Sequence, residues 1–295
     1  MTPPNLLLTG STGFLGLRLA PALAGPWRVV GASRSASGPD SVAMDLADPD
    51  SIRRAFDAAR PAAVVHGGAI ASPDACERDP DMARRVNAEG TKTLADLCGR
   101  SGARLIVIST DLVFDGEKGR YDEDDAPNPL SAYGRVKLEA EEAALSRAPG
   151  AAAVRICAAY GRLLGGRPCF TDEILAAVSR GEPISAFVDQ WRTATAADFL
   201  AGVLLRILDR PDVSGLFHWG GAERASRFEA AVALCGAFGY DPALIRPARM
   251  NDKRTLARRP RDSSLDSSRL AAALGLAPVT LAEGFAAMRA AKAAP

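Results

Sequence analysis

Near its start the chain passes from an apolar run at 5–9 straight into Gly10-Ser11-Thr12-Gly13-Phe14-Leu15-Gly16, and then into a segment with Leu17, Leu19, Ala20 and Leu23 at helical spacing. A strand, a glycine loop and a helix in that order restrict the fold more than any other feature of the chain. Glycines let the backbone turn tightly and approach a diphosphate, whose charge then rests on the helix N-terminus. The spacing is G-x-x-G-x-x-G, one residue longer than the common G-x-G-x-x-G. Its place after a strand is what separates a dinucleotide signature from an ordinary turn. Gly10, Thr12, Gly13, Phe14, Leu15 and Gly16 are therefore candidate cofactor contacts.

The first half of the chain repeats the alternation. Strands are expected at 27–33, 42–46, 62–66, 104–108 and 152–157, with a helix at 49–59 capped by Asp48 and a long one at 80–98. Strands alternating with helices at this rhythm imply parallel order, so the expected class is α/β, a doubly wound parallel (Rossmann) sheet. Beyond 157 the alternation fades: a helix at 171–179, a short strand at 184–188, a helix at 196–208, a strand at 216–219, then helices around Phe228, Leu270 and Phe285. The expected division is a cofactor-binding region at 1–157 and a smaller α+β region at 158–295, mainly for substrate, with some segments returning to the first. The second region is expected over the carboxyl ends of the strands, where open α/β sheets bind ligands.

At 295 residues and 47% hydrophobic, the chain is expected to be soluble with a buried core. A net charge of +1, from 36 basic and 35 acidic residues, excludes a global bias toward nucleic acid or an anionic membrane. The five cysteines are odd in number and form no CxxC, which argues against disulfides and zinc and fits a reducing cytoplasm. His66 and His218 alone leave little for an imidazole metal site or a Ser-His-Asp triad, and no metal site is expected. No basic leader precedes the short apolar run at 6–8, and no apolar stretch approaches the roughly 18 residues that span a bilayer. Neither export nor a membrane span is expected.

The end of the 27–33 strand suggests which dinucleotide is bound. An NAD site usually places an acid there for the ribose 2′-hydroxyl. Here Ser33-Arg34-Ser35 stands in that place, with no acid until Asp40, which suits a 2′-phosphate and so NADP(H). Asp45 and Leu46, at the tip of the 42–46 strand, are placed to meet the adenine. Gly67-Gly68-Ala69, after the 62–66 strand, lets a cofactor pass close to the backbone, with Gly68 and Ala69 as candidate contacts. His66 reads as a packed strand residue, Asn87 as a solvated polar residue midway along its helix, and the acids of 121–125 as a solvated loop.

The chemistry is carried by Ser131-Ala-Tyr-Gly-Arg-Val-Lys137. Pro127 and Pro129 stop any earlier helix, Ser131 can cap the first turn, and Tyr133 and Lys137 then share one face. A phenol with a pKa of about 10 is a poor proton donor or acceptor at neutral pH. A nearby ammonium favours the phenolate and is expected to lower that value toward the range of a general acid or base. The 104–108 strand runs into Ser109-Thr110-Asp111, which delivers a hydroxyl that can grip a substrate carbonyl. Thr110, Tyr133 and Lys137 form a carbonyl-reducing constellation, although Tyr-x-x-x-Lys alone also arises by chance. Arg246, Arg249, Lys253, Arg254, Arg258, Arg259 and Arg261 make one basic segment, suited either to a nucleotide diphosphate or to solvent.

With these motifs assembled, the chain resembles the extended short-chain dehydrogenase/reductase family over nearly its whole length. Within that family it looks most like the dTDP-4-dehydrorhamnose reductases, through Ser109-Thr-Asp-Leu-Val-Phe-Asp-Gly116, Val188-Asp-Gln-Trp-Arg-Thr193 and Arg259-Pro-Arg-Asp-Ser-Ser-Leu-Asp266. The resemblance implies Thr110 as carbonyl anchor, Tyr133 as proton donor, and Lys137 as its partner and a ribose ligand. It implies Asn87 near a structural water or the cofactor, and Asp111, Gln190, Trp191, Arg192 and Arg259 toward the nucleotide sugar. A homodimer is a further expectation. Phe14 departs from the glutamine frequent in these reductases and matches related epimerases. Similar 4,6-dehydratases carry Asp-Glu after the threonine, whereas Leu112 here can neither give nor take a proton. NADPH-dependent reduction of a nucleotide-linked 4-keto-6-deoxy sugar leads. An epimerase holding its cofactor tightly and a non-catalytic NADP-binding regulatory protein, like the regulatory subunit of methionine adenosyltransferase, stay open beside it.

Overall fold

Three consecutive leucines, Leu6, Leu7 and Leu8, are each fully buried, which a strand permits only when both faces of its sheet are covered. Leu6 and Leu8 pack into one core with Leu19, Val65 and Ile106, while Leu7 joins the opposite core with Ile52, Val64 and Leu94. In the computed structural model the described residues are 2–36, 38–165 and 168–293. Their strands and helices run β1 (Asn5–Thr9), α1 (Gly16–Leu23), β2 (Arg28–Ser33), β3 (Ser41–Ala43), α2 (Pro49–Ala59), β4 (Ala63–His66), α3 (Pro73–Arg78), α4 (Pro80–Arg84), α5 (Gly90–Ser101), β5 (Arg104–Thr110), α6 (Ala132–Arg147) and β6 (Ala152–Ile156). They continue as α7 (Phe170–Val178), β7 (Ile184–Phe187), β8 (Trp191–Arg192), α8 (Ala197–Asp209), β9 (Gly215–Trp219), β10 (Ala225–Ser226), α9 (Arg227–Phe238), β11 (Ile245–Ala248), α10 (Ser268–Leu274) and α11 (Leu281–Ala293).

The main sheet has seven parallel strands in the order β3-β2-β1-β4-β5-β6-β9, the doubly wound arrangement expected from the alternation. Its last strand comes from the C-terminal half, and α8 and α10 pack into the same core as β1 and β6. The rest of that half forms a separate core around Tyr160, Ile174, Leu234 and Phe285. Two short pairs complete it: β7 with β11, parallel, and β8 with β10, antiparallel.

Local signals place the helix starts. Asp48 caps α2 by accepting from Asp50 N, and Ser131 caps α6 by accepting from Gly134 N. Three expectations about these segments fail. The third strand ends at Ala43 rather than at residue 46, because Asp45 turns the chain by accepting from Ala47 N, and Asp48 N donates to the Asp45 carbonyl. The long helix is interrupted between α4 and α5 by a π turn, Arg85–Glu89. The acidic loop is not all solvated: Glu123 is buried, accepts from His218 N at 2.8 Å and faces Arg269 at 3.4 Å. Part of the basic segment, unassigned from sequence, supplies β11.

Candidate active site

A cavity of about 530 Å³ lies over the carboxyl ends of β1, β4, β5 and β6. Its floor is the glycine loop with Gly67, Gly68 and Ala69, and Thr110, Tyr133 and Lys137 line one side. From the C-terminal half come Gln190, Arg192 and Arg259. Of the sequence candidates, the structure brings Gly10, Gly13, Phe14, Leu15, Gly16, Gly68, Ala69, Thr110, Asp111, Tyr133, Lys137, Gln190, Arg192 and Arg259 to this one space.

The glycines do two different jobs. Gly10, at φ +70°, would put a Cβ 2.8 Å from Cα of Gly68, and a Cβ on Gly16 would lie 2.1 Å from the Gly10 carbonyl. Both are required by backbone packed on backbone. Gly13 would meet only the Gly10 carbonyl, at 3.2 Å, so the space beyond it belongs to the cavity. No side chain caps the first turn of α1; within it Leu17 N donates to the Gly13 carbonyl and Arg18 N to the Leu15 carbonyl, both at 3.0 Å.

Beneath the floor runs a buried hydrogen-bond chain. Gly68 N–H donates to Thr9 Oγ1 (3.1 Å), and Thr9 Oγ1 lies 2.7 Å from His66 Nδ1. His66 Nε2 lies 2.9 Å from Thr91 Oγ1, which donates to the Asn87 carbonyl at 2.6 Å. Burial, helped by the Lys137 charge, holds the imidazole neutral, with its pKa down to about 3. A neutral ring protonated on Nε2 satisfies every link. Asn87 is not a solvated residue as expected. It is buried in the π turn, where its side chain accepts from Ile70 N (2.8 Å) and donates to Ile70 O (3.1 Å), holding the segment that follows Gly68 and Ala69.

Tyr133 and Lys137 share a buried face of α6. Lys137 Nζ donates to the Ile108 carbonyl at 2.7 Å, and burial lowers its pKa to about 8, opposed by the charge of Glu141. The expectation that Lys137 draws the phenol down is not met. Burial first, then the charges of Asp111 and Cys76, push Tyr133 well above the ordinary phenol value, and a hydrogen bond with Thr110 opposes them only in part. Tyr133 is therefore held in its protonated form.

Asp111 and Arg192 line the cavity yet are bound to each other, with Arg192 Nε 3.3 Å from Asp111 Oδ2. Ser263 Oγ also donates to Asp111, and Arg192 donates to the carbonyls of Trp191 (2.6 Å) and Pro260 (3.1 Å). These ties fasten the C-terminal wall to the end of β5. Arg259 pairs with Asp74 at 3.2 Å, and its Nη1 is buried without a hydrogen-bond partner among the described residues, so it keeps a donor for an anionic group.

Other candidates stand outside the cavity lining. Trp191 lies under the Arg224 guanidinium, 4.8 Å from its ring centre. Thr12 is exposed. Ser33, exposed Arg34 and Ser35 sit at the end of β2, where Ser33 Oγ donates to the Ser35 carbonyl at 3.0 Å. Asp40, the next acid along the chain, pairs with Arg28 at 3.1 Å. Asp45 is exposed, and Leu46 packs so near Gly68 that a Cβ there would lie 2.9 Å from it. Sequence reasoning missed Glu141 and Arg155, a buried pair behind the site. The available signal was the step of four residues from Tyr133 to Lys137 to Glu141.

Known proteins resemble the chain in sequence and in fold. Bovine "Methionine adenosyltransferase 2 subunit beta" is 34% identical over 277 residues, covering 90% of this chain and 82% of the relative. "Probable low-salt glycan biosynthesis reductase Agl14" of Haloferax volcanii is 34% identical over 254 residues, covering 84% and 83%. The crystal structure of a dTDP-4-dehydrorhamnose reductase from Clostridium acetobutylicum superposes with a TM-score of 0.88 at 27% identity, covering 98% of this chain and 99% of that one. The dTDP-4-dehydrorhamnose reductase of Bacillus anthracis, solved in complex with NADP, shares the fold with a TM-score of 0.89 at 22% identity, covering 98% and 100%. The model of the RmlD substrate binding domain matches residues 4–293, and the chain belongs to that family.

Proposed function

We propose that the protein reduces the 4-keto group of a nucleotide-linked 4-keto-6-deoxy sugar with NADPH. The observation that carries this reading is Tyr133, buried and protonated, beside Thr110 in the same cavity as the glycine loop. A donor that must give a proton to a developing alkoxide is best kept loaded, and a site that first removes a proton would need the phenolate. The cavity fits a dinucleotide: Gly13 leaves space where a side chain would stand, and the glycine loop with the start of α1 lines that space. The relative named as a reductase and the neighbour that holds NADP support the same reading.

When bound, NADPH supplies the hydride. Thr110 holds the ketone oxygen, Tyr133 protonates it, and Lys137 orients the ribose and the phenol. Arg34, with Ser33 and Ser35, receives the 2′-phosphate, while Asp45 and Leu46 border the adenine. Gln190 and Arg259 receive the nucleotide diphosphate, with Arg192 and Asp111 fastening that wall. Residues 1–157 carry the cofactor and 158–295 mainly the substrate. Leu112 leaves elimination without a second acid or base. The five thiols are free, as a reducing cytoplasm would keep them.

A second reading is favoured by one specific observation, the match to relatives named as the beta subunit of methionine adenosyltransferase 2 over 90% of the chain. It makes the protein an NADP-binding subunit of a larger assembly. Incubation with a dTDP-4-keto-6-deoxy sugar and excess NADPH separates the two. NADPH oxidation matched to a 4-hydroxy product is expected. An isomerised sugar with NADPH unspent would overturn reduction, and tight NADP binding with the sugar unchanged would favour the subunit.

A further inference from the structure

Glu141 follows Tyr133 and Lys137 on the same face of α6 and is only 2% exposed. Its carboxylate accepts from the Ser109 hydroxyl on β5 and from Arg155 on β6, through Nε at 3.0 and 3.2 Å and Nη2 at 2.7 Å. Arg155, also 2% exposed, extends the tie to β9: its Nη1 donates to His218 Nε2 at 3.3 Å, while His218 Nδ1 donates to the Tyr121 carbonyl at 2.9 Å. Neither Glu141 nor Arg155 lines the cavity. Burying two charges is expensive, and hydrophobic residues of similar size often do as well for stability, so a purely structural tie is a weak explanation for this pair.

We propose that Glu141 is a positioning residue, anchored by Ser109 and Arg155, that sets the Tyr133–Lys137 face of α6 against β5 and supplies the buried negative charge that keeps the Lys137 ammonium charged. The catalytic meaning of this assignment rests on the reduction reading above; the charge relation itself does not.

The groups on the elements around Lys137 leave Glu141 in that role. Tyr133, on α6, is neutral, and His66, on β4, is held neutral by burial. The Ile108 carbonyl of β5 accepts from the ammonium. Asp111, after β5, bears on the Tyr133 phenol and not on Lys137. On α3, the Cys76 thiol is pushed up to about 11 by burial, and Glu77 accepts from Ala132 N. Arg84 of α4 pairs outward with Glu139, Glu89 with Lys92, and Asp96 of α5 with Arg147. The charge acting on Lys137 against its burial is that of Glu141.

Titration of stability reads this relation directly. The folded pKa of Lys137, about 8, lies below its ordinary 10.5, so the unfolded chain binds more protons between those values. Lys137 therefore costs stability fully below about pH 8, and the cost is relieved as pH rises toward 10.5. Unfolding free energies of the substrate-free protein and its Lys137→Met counterpart, measured from about pH 6 to about pH 10, give a difference curve that bends at the folded pKa. The bend is expected near 8 in the native chain. In Glu141→Gln it should fall by about one unit or more. Because Glu141→Gln leaves Arg155 without its counter-charge, the double variant Glu141→Gln/Arg155→Met provides the same comparison with no stranded cation, again with a lowered bend. A bend at the same pH with and without Glu141 overturns the proposal. If NADPH oxidation is absent but the bend moves, the charge relation stands and the reduction reading falls. If the sugar is reduced, Glu141→Gln should also move the alkaline limb of kcat to lower pH, and an unmoved limb counts against the positioning role.

Discussion

The floor of the cavity, residues 9–16 and 66–70, is backbone packed on backbone, whereas the opposite wall, residues 190–192 and 259–263, is held by charged side chains. On the floor, Gly10 and Gly16 stand where a Cβ would strike main-chain atoms, and Thr9, His66, Thr91 and Asn87 hold it from below through neutral hydrogen bonds. On the wall, Asp111, Ser263 and Arg192 join segments far apart in sequence, and Arg192 reaches the Pro260 carbonyl as well. A floor of this kind suits a ligand part that is the same in every turnover. A wall tied by a few polar contacts can change its lining residues without disturbing the sheet, as suits the part of the ligand that differs between relatives.

Four substitutions test the contrast. Between floor and wall, Tyr133→Phe should lower sugar reduction by about 10² to 10⁴. NADPH affinity and the unfolding midpoint should barely change, and a variant that keeps most of its activity would move the chemistry elsewhere. Asp111→Ala should cost about 3 to 5 kcal/mol of stability, because it leaves Arg192 buried without its partner. Chemical denaturation measures that loss, and a change below about 1 kcal/mol would mean the wall is not fastened there.

Smaller effects should divide by ligand. Arg259→Ala is expected to raise the KM for the nucleotide sugar by about ten- to a hundredfold while leaving NADPH affinity alone, as for the loss of a charged hydrogen bond. Arg34→Ala should do the reverse, reducing the preference for NADPH over NADH by about tenfold, the low end of the same range because the side chain is exposed. If Arg259→Ala weakened cofactor and sugar alike, the division between floor and wall would fail. Equal affinity of the native chain for NADPH and NADH would remove Arg34 from the 2′-phosphate.

Much of the floor was legible because its signals are local. A strand followed by G-x-x-G-x-x-G and a helix, Asp48 before Pro49, and Ser131 three residues before Gly134 each act within one or two turns of chain. Other readings fail where a residue's role is set by distant partners. Asn87 reads as a polar residue on a helix until the π turn aims it at Ile70, and Glu123 reads as one of several loop acids until β9 brings His218 N to it. Trp191 reads with its neighbours in the motif, but in an extended β8 adjacent side chains point to opposite faces, and of that motif only Gln190 and Arg192 line the cavity.

The sequence by itself determined the strands of the main sheet, the glycine loop and the shared face of Tyr133 and Lys137, because helix and strand periodicities and caps depend on neighbours within a few residues. Tertiary structure alone decided the electrostatics of that face. A phenol and an ammonium four residues apart are expected to draw the phenol down. Burial against β5, with Asp111 nearby, instead raises Tyr133, while the same burial lowers Lys137 and Glu141 opposes it. The desolvation that sets these values depends on which distant segments cover the site, and spacing along the chain carries no record of that.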